Sequence, residues 1–122
     1  MRISVLIFAV FTAVAFATAQ AADAPQKTFD LAIVHGVASA PQRLLKVEKG
    51  DVLRVRITSD APGELHVHGY RLSVKLLPGQ PGELAFTAYA TGRYPIEWHD
   101  AAATTASRHR SAPLATLEVR PR

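Results

Sequence analysis

The sequence predicts an antiparallel β-sandwich. Apolar and polar residues alternate with a period of two along most of the chain, which puts successive side chains on opposite faces of a strand. Clusters of Gly, Pro and Asp interrupt that alternation at intervals of about ten residues. No stretch of any length carries an apolar stripe at helical spacing. Short strands punctuated by evenly spaced turns suit two packed sheets around one core.

The first element stands apart from this pattern. Residues 1–21, MRISVLIFAVFTAVAFATAQA, have a basic start at Arg2, an apolar run from Ile3 to Phe16 and small residues after it. That is the layout of a secretory signal peptide, with cleavage after Ala19 or Ala21. The run is shorter than the roughly 20 apolar residues that span a bilayer; an uncleaved anchor is the alternative. Residues 22–27 read as a linker and 28–122 as one domain, since roughly 100 residues enclose a single modest core. The expected location is periplasmic or secreted, with no transmembrane segment once the signal is removed.

Strands follow in order at 28–34 (TFDLAIV), 43–47 (RLLKV), 52–58 (VLRVRIT), 64–69 (ELHVHG), 71–75 (RLSVK), 83–88 (ELAFTA), 92–99 (GRYPIEWH) and 114–120 (LATLEVR). The segments EKGD, SDAPG, PGQPG and ATG between them are turn chemistry. Residues 99–111, HDAAATTASRHRS, form either a helical turn or a loop. Within strands the alternation assigns faces. Leu53, Val55 and Ile57 point inward, leaving Arg54 and Arg56 outside. Leu65 and Val67 point inward, so His66 and His68 share the outer side. Tyr94, Ile96 and Trp98 point inward, and Arg93, Pro95, Glu97 and His99 face out.

Composition closes off several function classes. The chain has no cysteine and a single methionine, Met1, so an exported form has no disulfide and no thiolate for nucleophilic, redox or metal chemistry. The formal charge is +4, or +3 without Arg2, and the basic residues are scattered. No basic run interleaved with aromatics suggests nucleic-acid binding; the charge favours solubility and anionic surfaces. Ser73, Ser107 and Ser111 lack a nucleophile elbow, and no paired carboxylates mark a catalytic cleft. No catalytic residue is assigned, and the chain is read as not an enzyme.

Five histidines remain. His66 and His68 stand at i and i+2, with Cα atoms about 6.5–7 Å apart and both rings on one face, a span that one ion bonded at about 2 Å can close. On a solvated strand the same pair is equally a polar stripe.

Three segments resemble the cupredoxin superfamily, Greek-key sandwiches used by copper proteins of the bacterial envelope. KGDVLRVRIT (49–58) is similar to the stretch in which a Gly-Asp turn feeds the strand before the first metal-binding histidine. HVHG (66–69) resembles the His-x-His-Gly element of multicopper enzymes and of small cupredoxin-like envelope proteins. TGRYPIEWH (91–99) is similar to the strand that runs into the ligand loop of electron-transfer members. The resemblance covers about residues 28–121, and it implies a Greek-key fold in which His99 lies near His66 and His68 at one end of the sandwich.

Where blue-copper members of the superfamily have the cysteine ligand, this chain has Trp98, followed by His99, and the segment after it offers no methionine. A type 1 copper centre needs that thiolate. A multicopper oxidase is also excluded, because one His-x-His cannot assemble several copper centres. The candidate metal ligands are therefore His66, His68 and His99, with His109 as a further candidate in the loop and Glu64, Glu97 and Asp100 as carboxylate donors. Glu97 shares His99's side and is placed to fix its tautomer. His35 is left out. Three imidazoles without sulfur suit Cu(II) and, with lower affinity, Zn(II). The alternative is no cofactor at all: a metal-free sandwich serving an envelope protein partner as an accessory module. Trp98 and Tyr70 are read as core.

Overall fold

The computed structural model describes residues 24–104, Ala106 and residues 112–122. The predicted signal peptide at 1–21 and the candidate ligand His109 lie outside the described residues. Nine strands are described: β1 (Gln26–Val34), β2 (Val37–Ala38), β3 (Leu44–Glu48), β4 (Val52–Ser59), β5 (Gly63–Val67), β6 (Leu72–Leu76), β7 (Gly82–Thr87), β8 (Gly92–Asp100) and β9 (Ala115–Arg120). They form a sandwich of one four-stranded sheet, in the order β2-β1-β4-β7, and one five-stranded sheet, in the order β3-β9-β8-β5-β6. No described helix is long and apolar enough to cross a membrane.

The eight strands expected from the alternation are present, with ends that shift by one or two residues. The short β2 is additional: it closes a hairpin on β1 through the turn at His35 and Gly36, both with positive φ. Two pairings, β1 with β4 and β3 with β9, run parallel, and the other sheet pairings are antiparallel. Alternation fixes which face a residue takes and is blind to strand direction, so the parallel pairs were invisible to it. They arise because the chain crosses from one sheet to the other between β3 and β4, which lays β4 beside β1 in the same sense.

Burial follows the predicted faces. Leu53, Ile57, Leu65 and Leu117 are at most 1% exposed, and each such side chain contributes roughly 1.5–3 kcal/mol by leaving water. Tyr94 is only half-buried at the rim of this core.

The crossing between the sheets is fixed by a buried acid. Asp51 is 1% exposed, and its carboxylate accepts the Glu48 N–H at 2.9 Å and the guanidinium of Arg122. Its carbonyl accepts the Ala88 N–H at 2.9 Å, while Gly50, at φ 96°, donates to the Ala88 carbonyl at 2.8 Å. The acid of the KGD turn is thus an anchor between strands, buried although Glu48 and Lys49 beside it are exposed.

A second anchor holds the turn after the histidine strand. Tyr70, 6% exposed, lies among Phe86, Tyr89 and Tyr94 with ring centroids 4.7–5.2 Å away. Its hydroxyl donates to the Ala90 carbonyl at 3.0 Å and accepts the Ala90 N–H at 3.2 Å. Burial, opposed by that hydrogen bond, holds the Tyr70 phenol above its usual range. A raised folded-state value means that the neutral hydroxyl adds stability below about pH 10, and this is lost as pH rises past the folded-state value. Tyr70→Phe is expected to cost about 1–3 kcal/mol at neutral pH, because it strands the Ala90 N–H, whereas the Ala90 carbonyl keeps the Tyr94 hydroxyl at 3.2 Å. Urea denaturation at neutral pH and at about pH 11, above the ordinary phenol value, should show a smaller alkaline loss in the variant than in the wild type. An equal alkaline loss in both would remove Tyr70 as the responsible group.

Candidate metal centre

β5 and β8 are antiparallel neighbours in the five-stranded sheet, with Glu64 opposite His99 and His66 opposite Glu97. Residues directly opposite each other share a face, and Leu65 faces Trp98 on the buried side. Glu64, His66, Glu97 and His99 therefore form one outward-facing block. His68 sits one step past β5, where its backbone N–H still donates to the Pro95 carbonyl at 3.0 Å. The three histidines are brought together, although they occupy the outer face of the five-stranded sheet and not the end of the sandwich. The physical reason is the strand order: β5 and β8 are both paired on two sides, so their outward residues stand on the sheet's face.

One carboxylate oxygen organises the block. Glu97 Oε2 lies 3.0 Å from His68 Nε2 and 3.2 Å from His99 Nε2. His66 turns elsewhere: its Nε2 is 3.4 Å from Glu64 Oε1, and its ring rests against that of His99 with centroids 4.6 Å apart and planes inclined by 32°. The hydrogen bond from His99, and secondarily that from His68, hold the Glu97 carboxyl below its usual range, against the opposing effect of burial. The histidine side chains are 33–51% exposed, so the block meets solvent.

Other candidates fall away from it. The Asp100 carboxylate accepts the Ala102 N–H at 2.7 Å and caps the turn after β8. His35 projects from the β1–β2 hairpin, 91% exposed and 3.8 Å from Asp60. Trp98 is 9% exposed and belongs to the core, as its inward phase requires.

The residue that sequence reasoning passed over is Gly63. A Cβ there would strike the Trp98 ring and come within 2.6 Å of the His99 carbonyl oxygen. Its signal was present as the glycine opening the histidine strand, read only as turn chemistry. Beside it a cleft of about 290 Å³, walled by Pro62, Leu76 and Leu77, opens onto Glu64 and His99.

The donor set fits a divalent ion of intermediate softness: three imidazoles, two carboxylates and no sulfur suit Cu(II) and Zn(II). The arrangement is not yet a closed site, since among the described residues no group of three or more His, Asp or Glu side chains is poised to hold a metal ion. The ring nitrogens that would bind metal are the ones now hydrogen-bonded to Glu97, so an ion must displace a proton and shift that carboxylate.

No protein-family model matches the chain, and no curated protein matches it. Solved structures do. One chain of a heme-copper terminal oxidase dimer, solved by cryo-EM, aligns with TM-score 0.65 and 19% identity over 80% of this chain and 66% of that one. A multicopper oxidase aligns with TM-score 0.60 and 20% identity over 79% of this chain and 42% of that one. A copper binding protein solved by NMR in the apo form aligns with TM-score 0.58 and 10% identity over 82% of this chain and 93% of that one. The fold is cupredoxin-like. At these identities the likeness concerns the fold, and this chain spans less than two thirds of the two oxidase chains.

In the cupredoxin-like domain, Gly63 is where the core and the histidine block meet. Gly63→Ala is expected to destabilise by about 1–3 kcal/mol or more, since it forces backbone or ring to move in a packed interior. Trp98 is the only tryptophan, so its fluorescence and near-ultraviolet dichroism should change in the same variant. A variant with wild-type melting temperature and spectra would show that the close approach relaxes freely.

Proposed function

We propose that the chain is an exported cupredoxin-like metal-binding protein that carries Cu(II), and Zn(II) less tightly, on the block formed by His66, His68 and His99, for sequestration, delivery or sensing. The observation that carries this reading is the convergence of two imidazole nitrogens, from β8 and from just past β5, on one Glu97 oxygen at 3.0 and 3.2 Å, with the third imidazole stacked alongside. Imidazole-rich sites favour copper over zinc by the Irving–Williams order. The apo copper binding protein, which shares the fold over 93% of its own length, supports a copper-associated role for a domain of this size.

The role is binding and not catalysis. What supports this is that the sequence carries no cysteine to supply the thiolate of a type 1 centre. Bound copper would supply a Lewis-acidic, exchangeable centre. The chain's own residues hold it, orient the imidazoles through Glu97 and leave the solvent side open for transfer to an envelope partner. Export rests on the signal-like residues 1–21.

The competing reading is a metal-free accessory module whose histidines are a polar stripe. What favours it is that the imidazoles already have carboxylate partners without any metal.

Titration calorimetry of the chain lacking residues 1–21 with Cu(II) and with Zn(II), beside a His66→Ala, His68→Ala double variant, decides between them. The expected result is binding by the wild type only. At copper about 100 times the dissociation constant the gain is about 2.7 kcal/mol, enough to raise the melting temperature by about 10 °C or more in a domain of this size. Wild-type affinity no tighter than about 10 μM, about 7 kcal/mol, with no thermal shift, would leave the metal-free reading standing.

A further inference from the structure

The three imidazoles of the block are not equivalent. Those of His68 and His99 present Nε2 to a common point, the Glu97 oxygen, at 3.0 and 3.2 Å. The register explains how they reach it: Pro95, Glu97 and His99 share one face of β8, and the His68 N–H is tied to Pro95. Glu97 thus stands between the two rings, with His99 two residues along its own strand and His68 diagonally across. His66, directly opposite Glu97 in the register, does not use it. Its Nε2 is held by Glu64 at 3.4 Å, and its ring lies against His99. To join the other two nitrogens it would have to abandon both the Glu64 contact and the stack.

Building on the proposal that this block binds metal, we infer that the ion is held by Nε2 of His68, Nε2 of His99 and the carboxylate of Glu97, with His66 a positioning residue that braces the His99 ring. Glu97 would then have two roles: a hydrogen-bond acceptor for both rings as they stand, and a ligand when an ion takes the place of the Nε2 protons, each neutral ring then carrying its proton on Nδ1. Carboxylate oxygen is an ordinary donor to divalent first-row metals, and its charge offsets half of the ion's own. Two nitrogens and one oxygen from a flat face leave the remaining positions to water or to a ligand brought by a partner. Glu64 and His66 form an outer brace, the kind of support that orients a ligating ring.

The brace and the ligand are separable by replacing His66 with a ring that stacks and cannot coordinate. In the chain lacking residues 1–21, loaded with one equivalent of Cu(II), His66→Phe is expected to keep the wild-type nitrogen hyperfine pattern in electron paramagnetic resonance, that of two imidazoles, and to bind more tightly than His66→Ala. His66→Ala, which removes the stack, should weaken binding about tenfold, within the range for an outer partner, and leave the nitrogen count unchanged. His68→Ala and His99→Ala should each weaken binding by about 100-fold or more, beyond that range, and remove one nitrogen from the pattern. Glu97→Gln, which keeps the shape and loses the charge, should weaken binding as much as Glu97→Ala. Melting temperatures of the apo variants check that these half-exposed positions leave the fold intact. If His66→Phe loses a nitrogen and as much affinity as His68→Ala, His66 is a ligand and the inference falls while the metal reading stands. If His66→Ala binds like the wild type, the brace has no role, and if Glu97→Gln does, the carboxylate is not a ligand. A wild-type chain that binds no copper would instead remove the metal reading itself.

Discussion

The pairing of β5 with β8 is the constraint on which the rest of the molecule depends. Its register sets Glu64 against His99 and His66 against Glu97, and in the same stroke sets Leu65 against Trp98 and Val67 against Ile96. A slip of one residue would turn the imidazoles into the core and expose the apolar set. Burying even one unpartnered polar ring costs several kcal/mol, so the core excludes that alternative without help from the polar face. The block therefore exists because the apolar side of two strands admits only one alignment. Whatever chemistry it performs is inherited from packing on the opposite face.

Two buried anchors make that alignment rigid. Trp98 fills the space beneath His99, and its fit requires that residue 63 have no side chain, so β5 starts with glycine where it passes the ring. Tyr70 closes the other end, tying the turn that follows His68 to Ala90 between β7 and β8. The histidines are thus held at both ends of β5 by contacts that involve none of them. This division of labour lets the exposed polar side change with little effect on the fold. It also predicts that core lesions disturb the block more than substitutions within it disturb the core.

Much of this was legible in the sequence, and the boundary of legibility has physical causes. Period-two alternation marked every strand but the two-residue β2, and the faces of the longer strands, because side-chain direction is a local property of extended backbone. It placed His66, His68 and His99 outside for the same reason. Strand direction and sheet order depend on where the chain crosses between layers, and no local pattern encodes that, so the parallel partners of β1 and β3 and the position of the block on a sheet face were not foreseen. Asp51 illustrates the limit. A Gly-Asp turn looks solvated, and only the return of the chain to Arg122 shows that its carboxylate is buried and paired. Glu97 was recognisable as a neighbour of His99 on the same strand, whereas its contact with His68 belongs to tertiary structure.

The absence of sulfur gives the block its chemical character. Thiolate and thioether ligands stabilise the reduced ion, and imidazole with carboxylate stabilises the oxidised one. A site of this composition would therefore discriminate by oxidation state as well as by element, favouring Cu(II) over Cu(I). The flat face adds a second property. Ligands that approach an ion from one side cannot enclose it, so water or a partner's donor completes the shell and exchange does not require the fold to open. The contacts with Glu97 and Glu64 order the block, since each imidazole has a carboxylate partner. The cost of that order is competition, because an incoming ion must displace a ring proton and part the carboxylate from its two histidines. A block of this kind would suit reversible holding of an ion, since the Glu97 carboxylate that pairs with two of the rings would also face the ion.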